Sequence, residues 1–173
     1  MSLKDLTSAK HAEAESTPFM KAVFAKTLPF DLWVDFTYQK QLWYKEIEHA
    51  ARKAGLLNAL PGIERAGLIM DDYYVMDKPT GSFNTYKEET KDYASYIRSL
   101  DDPKRIMAHL YTWHMGDLFG GQMIKRVVKA PHSSLEFIDA PGLISTIRTK
   151  LSDDMAPEVR TAFDWAIKIL ESS

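Results

Sequence analysis

The residues of this chain that could do chemistry lie in two short stretches, one near the N-terminus and one after residue 110. The first stretch carries His11, with Glu15 four residues later. On a helix, a carboxylate at that spacing can accept a hydrogen bond from one nitrogen of a metal-bound imidazole. Lys4 and Thr7 share this helical face, and Lys4 is placed to meet an anionic edge of a flat cofactor. The stretch is consistent with a metal-binding histidine, but a solvated histidine on an exposed helix face explains the spacing equally well by itself.

The second stretch places three glycines and an acid inside a pattern of helical apolar spacing. Gly116 and Gly120 are four residues apart, so they stack on one helical face about 6 Å apart along the axis. A helix face without side chains allows a ligand to approach the backbone closely, and adjacent Gly120 and Gly121 also permit a kink. Asp117 adds a carboxylate beside this gap. Close packing against another helix is the alternative explanation.

The remaining histidines give weaker signals. His49 follows Glu46 in a single Glu-x-x-His, which is half of the motif that binds two irons in some helical bundles. Because a second copy is missing from the sequence, a solvated helix face explains it better. His109 and His114 adjoin the glycine stretch and are expected to be core or hydrogen-bonding residues, whereas His132 falls in a predicted loop.

Composition excludes several classes of protein. The 173 residues suit one domain spanning residues 1–173, and the net charge of -2 gives no sign of nucleic-acid binding. With zero cysteines, the chain cannot form disulfides, zinc-thiolate sites or iron–sulfur clusters. The N-terminus lacks an apolar signal core and no apolar run is long enough to cross a bilayer. We therefore expect a soluble, cytoplasmic protein without a membrane anchor.

The secondary-structure elements that must place these residues are predicted to be helical almost throughout the chain. Apolar residues recur at spacings of three and four, and no stretch alternates with period two, which predicts an all-α bundle of roughly seven or eight helices. One such pattern runs from Phe83 to Leu100, and Pro157 suits a first helical turn. Breaks are predicted near residues 27–29, 60–62, 78–81, 102–103 and 140–142.

Taken together, the two stretches resemble signatures of the haem oxygenase family. Residues 6–15 (LTSAKHAEAE) and 19–21 (FMK) resemble its proximal helix. Residues 109–112 (HLYT), 116–118 (GDL) and 120–122 (GGQ) resemble its distal helix. The resemblance is thinner at residues 136–139, 145–148 and 162–163, and between about residues 30 and 100 it rests on helical pattern and aromatic content.

The resemblance implies a single-domain helical bundle that holds haem b between the N-terminal helix and a kinked, glycine-rich distal helix. His11 would bind the haem iron, with Glu15 behind it and Thr7 nearby. Gly116, Gly120 and Gly121 would let the distal helix approach the macrocycle and direct oxygen to the alpha-meso carbon. Other roles implied by the family are proton delivery through a water network at Asp117, propionate binding by Lys4, Tyr111 and Arg148, and haem contact by Phe163.

The implied reaction uses O2 and yields biliverdin IX alpha, carbon monoxide and ferrous iron. The chain lacks flavin and nicotinamide motifs, so electrons would come from a separate soluble donor such as ferredoxin, as in members from cyanobacteria, plastids and their phages. A bilin reductase could consume the product. The donor's docking surface would be basic, and the candidates are Lys4, Lys125, Arg126 and Lys129.

Four residues depart from the family pattern. Trp113, His114 and Phe119 replace residues that are usually Arg, Tyr and Ser, and Ile144 stands where a propionate-binding Lys is often found. Two alternative functions stay open. One is a haem-binding protein without catalysis, and the other is a di-iron oxidase that uses Glu46 and His49.

Overall fold

The computed structural model describes residues 2–78 and 84–173, and in these ranges the protein is all-helical, as predicted. Three short 3-10 turns, residues 56–59, 133–135 and 153–155, lie between the α-helices. The α-helices are α1 (Leu3–Glu15), α2 (Pro18–Phe24), α3 (Phe30–Lys53), α4 (Ala66–Val75), α5 (Glu88–Arg98), α6 (Pro103–Leu110), α7 (Gly116–Val127), α8 (Ala140–Thr149) and α9 (Ala156–Glu171).

Helix α3 is the centre of the bundle and packs against α4, α5 and α6. Its buried stripe includes Trp43, Tyr44 and Ile47, none of which exposes any measurable surface. These positions recur at helical spacing, so one face of α3 enters the core while the other meets solvent. Helix α1 packs instead on α9, which also contacts α5 and α6.

The glycine stretch lies inside one continuous helical rod. Helix α6 begins at Pro103, where the Asp102 side chain accepts a hydrogen bond of 3.0 Å from the backbone N–H of Lys104. A π-helical turn, Tyr111–Met115, then joins α6 directly to α7. A π turn inserts an extra residue into the helical repeat and bends the rod, and such turns are frequent at functional sites. The predicted kink therefore lies before the first glycine, and the glycines do not end the helix.

The predicted helix limits agree with the structure at most positions. Counting α6, the π turn and α7 as one rod gives eight helices in the described parts of the chain. The predicted helix between Phe83 and Leu100 is shorter than expected, because α5 begins at Glu88 and the residues just before it are not helical. Phe83 and most of the predicted break at 78–81 lie outside the described residues.

In the described ranges, none of the helices is both long and apolar enough to span a membrane.

A buried carboxylate connects α9 to α5 and α6. Glu158 accepts hydrogen bonds from the Tyr96 hydroxyl at 2.7 Å and from Arg105 Nε at 2.6 Å. His109 Nε2 lies 3.6 Å from the same carboxylate. Burial by itself raises the pKa of Glu158, but the neighbouring His109, Arg105 and Tyr96 outweigh it and lower the pKa to about 2.

We expect Glu158→Gln to destabilise the protein at neutral pH by about 1 to 3 kcal/mol. A carboxylate with a lowered folded-state pKa stabilises the fold above its unfolded pKa, and this contribution disappears as the pH falls through the folded value. The difference between wild type and variant should therefore shrink as the pH drops from 4.5 towards about 2. Urea unfolding at a series of pH values measures this, with the exposed Glu171→Gln as control. A difference that stays constant with pH would contradict the assignment.

Candidate functional site

A cavity of about 910 Å³ has α1 and α9 on one side and α3 and the α6–α7 rod on the other. Its size is at the upper end of the usual range for small-molecule sites. The walls are mostly apolar and include Phe36, Ile69, Met115 and Leu170. The sequence-predicted site residues that line it are Lys4, Thr7, His11, Glu15, Tyr111, Gly116, Asp117, Gly120, Arg148 and Phe163.

His11 lies on the α1 wall of the cavity and keeps 60% of its side chain exposed. Its Nε2 lies 2.9 Å from Glu15 Oε1, which is the predicted pairing across one helical turn. The Phe163 ring meets the imidazole edge to face, with 5.7 Å between ring centroids. Because Nε2 contacts Glu15, Nδ1 is the nitrogen left open in this rotamer, and a ring rotation is needed to present Nε2 to a metal.

Thr7 lies on the same wall, but its hydroxyl is already used. It donates a hydrogen bond of 2.9 Å to the backbone carbonyl of Leu3, one turn earlier on α1. The side chain is buried. Thr7 can therefore contact a ligand through its methyl group, while its hydroxyl stabilises the helix that carries His11.

The α7 wall has open space where side chains would project. A Cβ atom added at Gly116 or at Gly120 would meet nothing within 4 Å. Both glycines line the cavity. Gly121 is not brought to the cavity: a Cβ there would come within 3.0 Å of the Leu135 side chain. Adjacent residues of a helix point about 100° apart, so Gly121 faces Leu135 while Gly120 faces the cavity.

Asp117 is held by two side chains of α3. Lys40 Nζ lies 3.0 Å from Oδ1, and the Tyr44 hydroxyl donates a hydrogen bond of 2.6 Å to Oδ2. Burial, and secondarily the adjacent Asp117 carboxylate, raises the pKa of Tyr44 well above its usual value. Tyr44 therefore stays protonated and acts as a donor to Asp117 across the normal pH range.

Cations lie at the exposed part of the cavity. Lys4 and Arg148 both line it and both are exposed to solvent. Tyr111 lies near Arg148: burial raises the pKa of Tyr111, and the positive charge of Arg148 partly opposes this. The Arg148 guanidinium also lies 5.8 Å from the centre of the Phe119 ring. These three predicted propionate-binding residues are thus gathered at one cavity.

The residues that depart from the family pattern have distinct environments. Trp113 lines the cavity and donates a hydrogen bond of 2.8 Å from Nε1 to the Tyr93 hydroxyl. His114 is buried, with Nε2 2.8 Å from the Glu48 carboxylate. Phe119 is half exposed at the cavity rim. Ile144 lines a separate shallow pocket beside Phe119 and does not reach the main cavity.

The positions of Glu46 and His49 do not support the alternative di-iron site. Glu46 is engaged by Arg98 at 3.0 Å, and His49 is exposed. Across residues 2–78 and 84–173, no three His, Asp or Glu side chains come together in a way that could hold a metal ion. A di-iron centre needs at least that many converging ligands, so the residues of this bundle do not fit one.

The cavity residues fit a flat, apolar macrocycle with an anionic edge. The open space beside Gly116 and Gly120 allows a planar group to lie against the helix backbone. His11 offers a nitrogen ligand on the α1 wall, and Lys4 and Arg148 offer charge-assisted hydrogen bonds to carboxylates. These features agree with a haem group.

Sequence reasoning missed Lys40 and Tyr44, the two partners of Asp117. They lie 77 and 73 residues away from it along the chain, and no local spacing links them to the acid. One signal was present, because Lys40 interrupts the buried stripe of α3 between Phe36 and Trp43. A lysine on a core-facing stripe indicates an internal carboxylate partner or a cavity.

Comparison with known proteins adds independent information. Residues 1–150 match the family model described as "Heme oxygenase". Mouse "Heme oxygenase 2" is 27% identical over 73% of this chain, and the match spans only 43% of the mouse protein. The "Heme oxygenase" of Guillardia theta is 24% identical over 89% of this chain, which corresponds to 67% of its own length.

Solved structures share the fold. A heme oxygenase from Leptospira interrogans has a TM-score of 0.84 and 23% identity, and the match covers 100% of both chains. Heme oxygenase-1 from a Synechocystis species, in complex with heme, has a TM-score of 0.84 and 19% identity over 98% of this chain and 89% of that one. These similarities confirm the predicted fold class.

Gly120→Leu tests whether the open space on the α7 wall allows a ligand to approach the helix backbone. Because nothing of the protein lies within 4 Å of an added Cβ, the side chain should fill the cavity without disturbing the bundle. We expect the melting temperature to change little and the affinity for hemin to fall by at least about tenfold. Spectroscopic hemin titration and thermal unfolding measure the two effects.

The matched control is Gly67→Leu. Gly67 is a helical glycine of α4 that also has open space around its Cβ position but does not line the cavity. Unchanged hemin affinity in Gly120→Leu, or equal losses in both variants, would contradict the role of Gly120.

Proposed function

Because the chain belongs to the haem oxygenase family, whose model matches residues 1–150, we propose that it cleaves haem b with O2. The cut falls at the alpha-meso carbon, and the products are biliverdin IX alpha, carbon monoxide and ferrous iron. The observation that carries the proposal is one cavity that joins His11 on α1 to Gly116, Gly120 and Asp117 on α7. The haem is both substrate and source of the redox chemistry, while the protein supplies ligation, orientation and protons.

His11 provides the ligand to the haem iron. Its ring is 60% exposed and would rotate to present one nitrogen to the iron, and Glu15 can then accept a hydrogen bond from the other ring nitrogen. Phe163 packs against the imidazole and limits the ring orientations. His11 would hold the haem as a neutral imidazole ligand, and the haem would supply the oxygen chemistry when bound.

Lys4, Tyr111 and Arg148 set the rotation of the macrocycle. A lysine and an arginine at the cavity rim can pair with the two propionates, and partial exposure keeps the cost of desolvation low. Tyr111 remains protonated, because burial raises the pKa of its hydroxyl, and it can donate a further hydrogen bond. The rotation so fixed selects which meso carbon faces the reactive side.

Gly116 and Gly120 leave open space on the α7 side of the cavity. Without side chains there, the α7 backbone would approach a bound haem closely and would limit by steric contact the positions open to oxygen. The apolar walls exclude most water, which strengthens the remaining polar contacts. Regiochemistry in this proposal follows from backbone proximity.

Asp117 organises proton delivery from its place in the wall. Its carboxylate accepts hydrogen bonds from Lys40 and from Tyr44, so its position is fixed before the substrate enters. Tyr44 keeps its proton because its pKa is raised by burial and by Asp117. A carboxylate fixed in this way can hold the water molecules that transfer protons to the reacting oxygen.

Electrons must come from another protein, for which we propose a soluble donor such as ferredoxin. Basic residues near the exposed part of the cavity would receive an acidic donor, and Arg126, Lys129 and Lys4 are exposed. Lys125 lies 3.7 Å from Glu136, so its charge is partly neutralised. A bilin reductase is the class of enzyme that we propose consumes the product.

A second candidate function is haem binding without turnover. The observation that favours it is that Asp117 already has protein partners on both carboxylate oxygens, while Trp113 adds bulk to the same cavity. Turnover distinguishes the two functions. Ferredoxin, its reductase and NADPH are added in air, with catalase present, to purified protein that holds one equivalent of hemin. The visible spectrum is then followed over time.

Decay of the Soret band into the broad red absorption of biliverdin, with the alpha isomer identified by chromatography, supports the enzyme. A stable Soret band with the competent donor supports the binding protein. The absence of any Soret shift on addition of hemin would contradict both functions.

His11→Ala should abolish the spectrum of histidine-ligated haem, since it removes the imidazole on α1. Added free imidazole should restore that spectrum by entering the space left behind. The exposed His49→Ala is the control and should behave as wild type. An unchanged electron paramagnetic resonance spectrum in His11→Ala would show that another residue binds the iron.

Asp117→Asn should reduce the rate of biliverdin formation by about 100-fold or more, because a neutral amide lacks the charged acceptor that orders the proton-transferring water molecules. Hemin affinity should remain within about threefold, since burial of the macrocycle supplies most of the binding free energy. Stopped-flow and titration measurements give the two values, and the exposed Asp92→Asn serves as control. Wild-type turnover in Asp117→Asn would place proton delivery elsewhere.

A further inference from the structure

Lys40 is a cation enclosed in the cavity wall. It lies on the core-facing stripe of α3, and only 13% of its side chain is exposed. A lysine rarely becomes so buried unless a partner compensates for the lost hydration. The partner is Asp117, at 3.0 Å, and the two side chains both line the cavity.

Not all N–H donors of the Lys40 ammonium group have an acceptor among the described residues. Among the residues that the structure describes, the Asp117 carboxylate is the only hydrogen-bond acceptor of Lys40 Nζ. An ammonium group has three N–H bonds, so two remain for water or for a ligand in the cavity. The nitrogen also lies 4.9 Å from the centre of the Tyr44 ring, which stabilises the cation on that side.

Lys40 and Tyr44 together fix the carboxylate. Tyr44 binds Oδ2 at 2.6 Å, and its hydroxyl also lies 3.2 Å from the Trp113 carbonyl. Lys40 binds the other oxygen, so rotation of the carboxylate would break one of two charge-assisted hydrogen bonds. Asp117 is therefore oriented by α3, and not by its own helix.

We propose that Lys40 has two roles on the side of the cavity formed by α3 and α7. It is a positioning residue for Asp117, and it presents a positive charge and free N–H donors to a small anion bound at the haem iron. The inference rests on the proposed function. Because the cavity is largely apolar, a fixed ammonium group there attracts negative charge far more than it would in water.

A purely structural ion pair is the competing explanation, and ligand binding separates the two. Azide is an anion that accepts hydrogen bonds, whereas imidazole binds ferric haem as a neutral molecule. A cavity cation favours azide over imidazole. An ion pair that only joins α3 to α7 changes the affinity for both ligands alike, through the shape of the cavity.

The experiment compares ferric hemin complexes of wild type, Lys40→Met, Lys40→Gln and Lys40→Arg. Azide and imidazole are titrated separately by Soret absorbance, and thermal unfolding of each apoprotein is recorded. Lys45→Met is the matched control, because Lys45 lies on the exposed face of the same helix and outside the cavity.

We expect the dissociation constant for azide to rise about tenfold in both neutral variants, since one charge-assisted interaction is lost. It should return to within about threefold of wild type in Lys40→Arg and stay unchanged in Lys45→Met. The dissociation constant for imidazole should change less than about twofold throughout.

Equal changes for azide and imidazole, or no change for azide, would overturn the proposal. Loss of hemin uptake in both neutral variants would overturn it as well, since Lys40 would then support the fold or the haem itself. Failure of wild type to take up hemin is a different result, because it contradicts the proposed function directly.

Discussion

The arrangement of the cavity depends on polar side chains of α3 that hold the glycine rod in place. Glu48 accepts hydrogen bonds from His114 Nε2 at 2.8 Å and from the backbone N–H of Arg65 at 2.6 Å. Burial by itself raises the pKa of Glu48, but these hydrogen bonds outweigh it and the pKa is lowered. Tyr44 and Lys40, one and two turns earlier, hold Asp117. Lys40, Tyr44 and Glu48, each one helical turn from the next, therefore connect α3 to the π turn and to α7.

This connection explains how a helix with few side chains can keep its position. Gly116 and Gly120 contribute no packing on the cavity side, and each glycine also weakens the helix by up to about 1 kcal/mol relative to alanine. The rod is fixed instead by His114, by Asp117 at the cavity wall and by Gly121 against Leu135. These contacts support the open face of the helix in place of side chains at Gly116 and Gly120.

Two of the residues that depart from the family pattern, Trp113 and His114, are part of this support. Trp113 donates to the Tyr93 hydroxyl, which in turn lies 2.7 Å from His109 Nδ1, so a second buried network joins the π turn to α5. Burial raises the pKa of Tyr93 well above its usual value, and the phenol stays protonated. The presence of Trp113 in place of the residue usual in the family therefore changes the shape of the cavity but leaves the rod attached to its neighbours.

The sequence by itself determined the helices and the local pairs. Periodic apolar spacing predicted the all-α bundle, and the pairing of His11 with Glu15 and the stacking of Gly116 with Gly120 follow from helical repeat alone. The tertiary structure decided which groups meet Asp117, since Lys40 and Tyr44 are 77 and 73 residues away. It also turned Gly121 towards Leu135, which belongs to a different element. Local spacing fixes which residues share a helical face, but only packing between helices decides what that face meets.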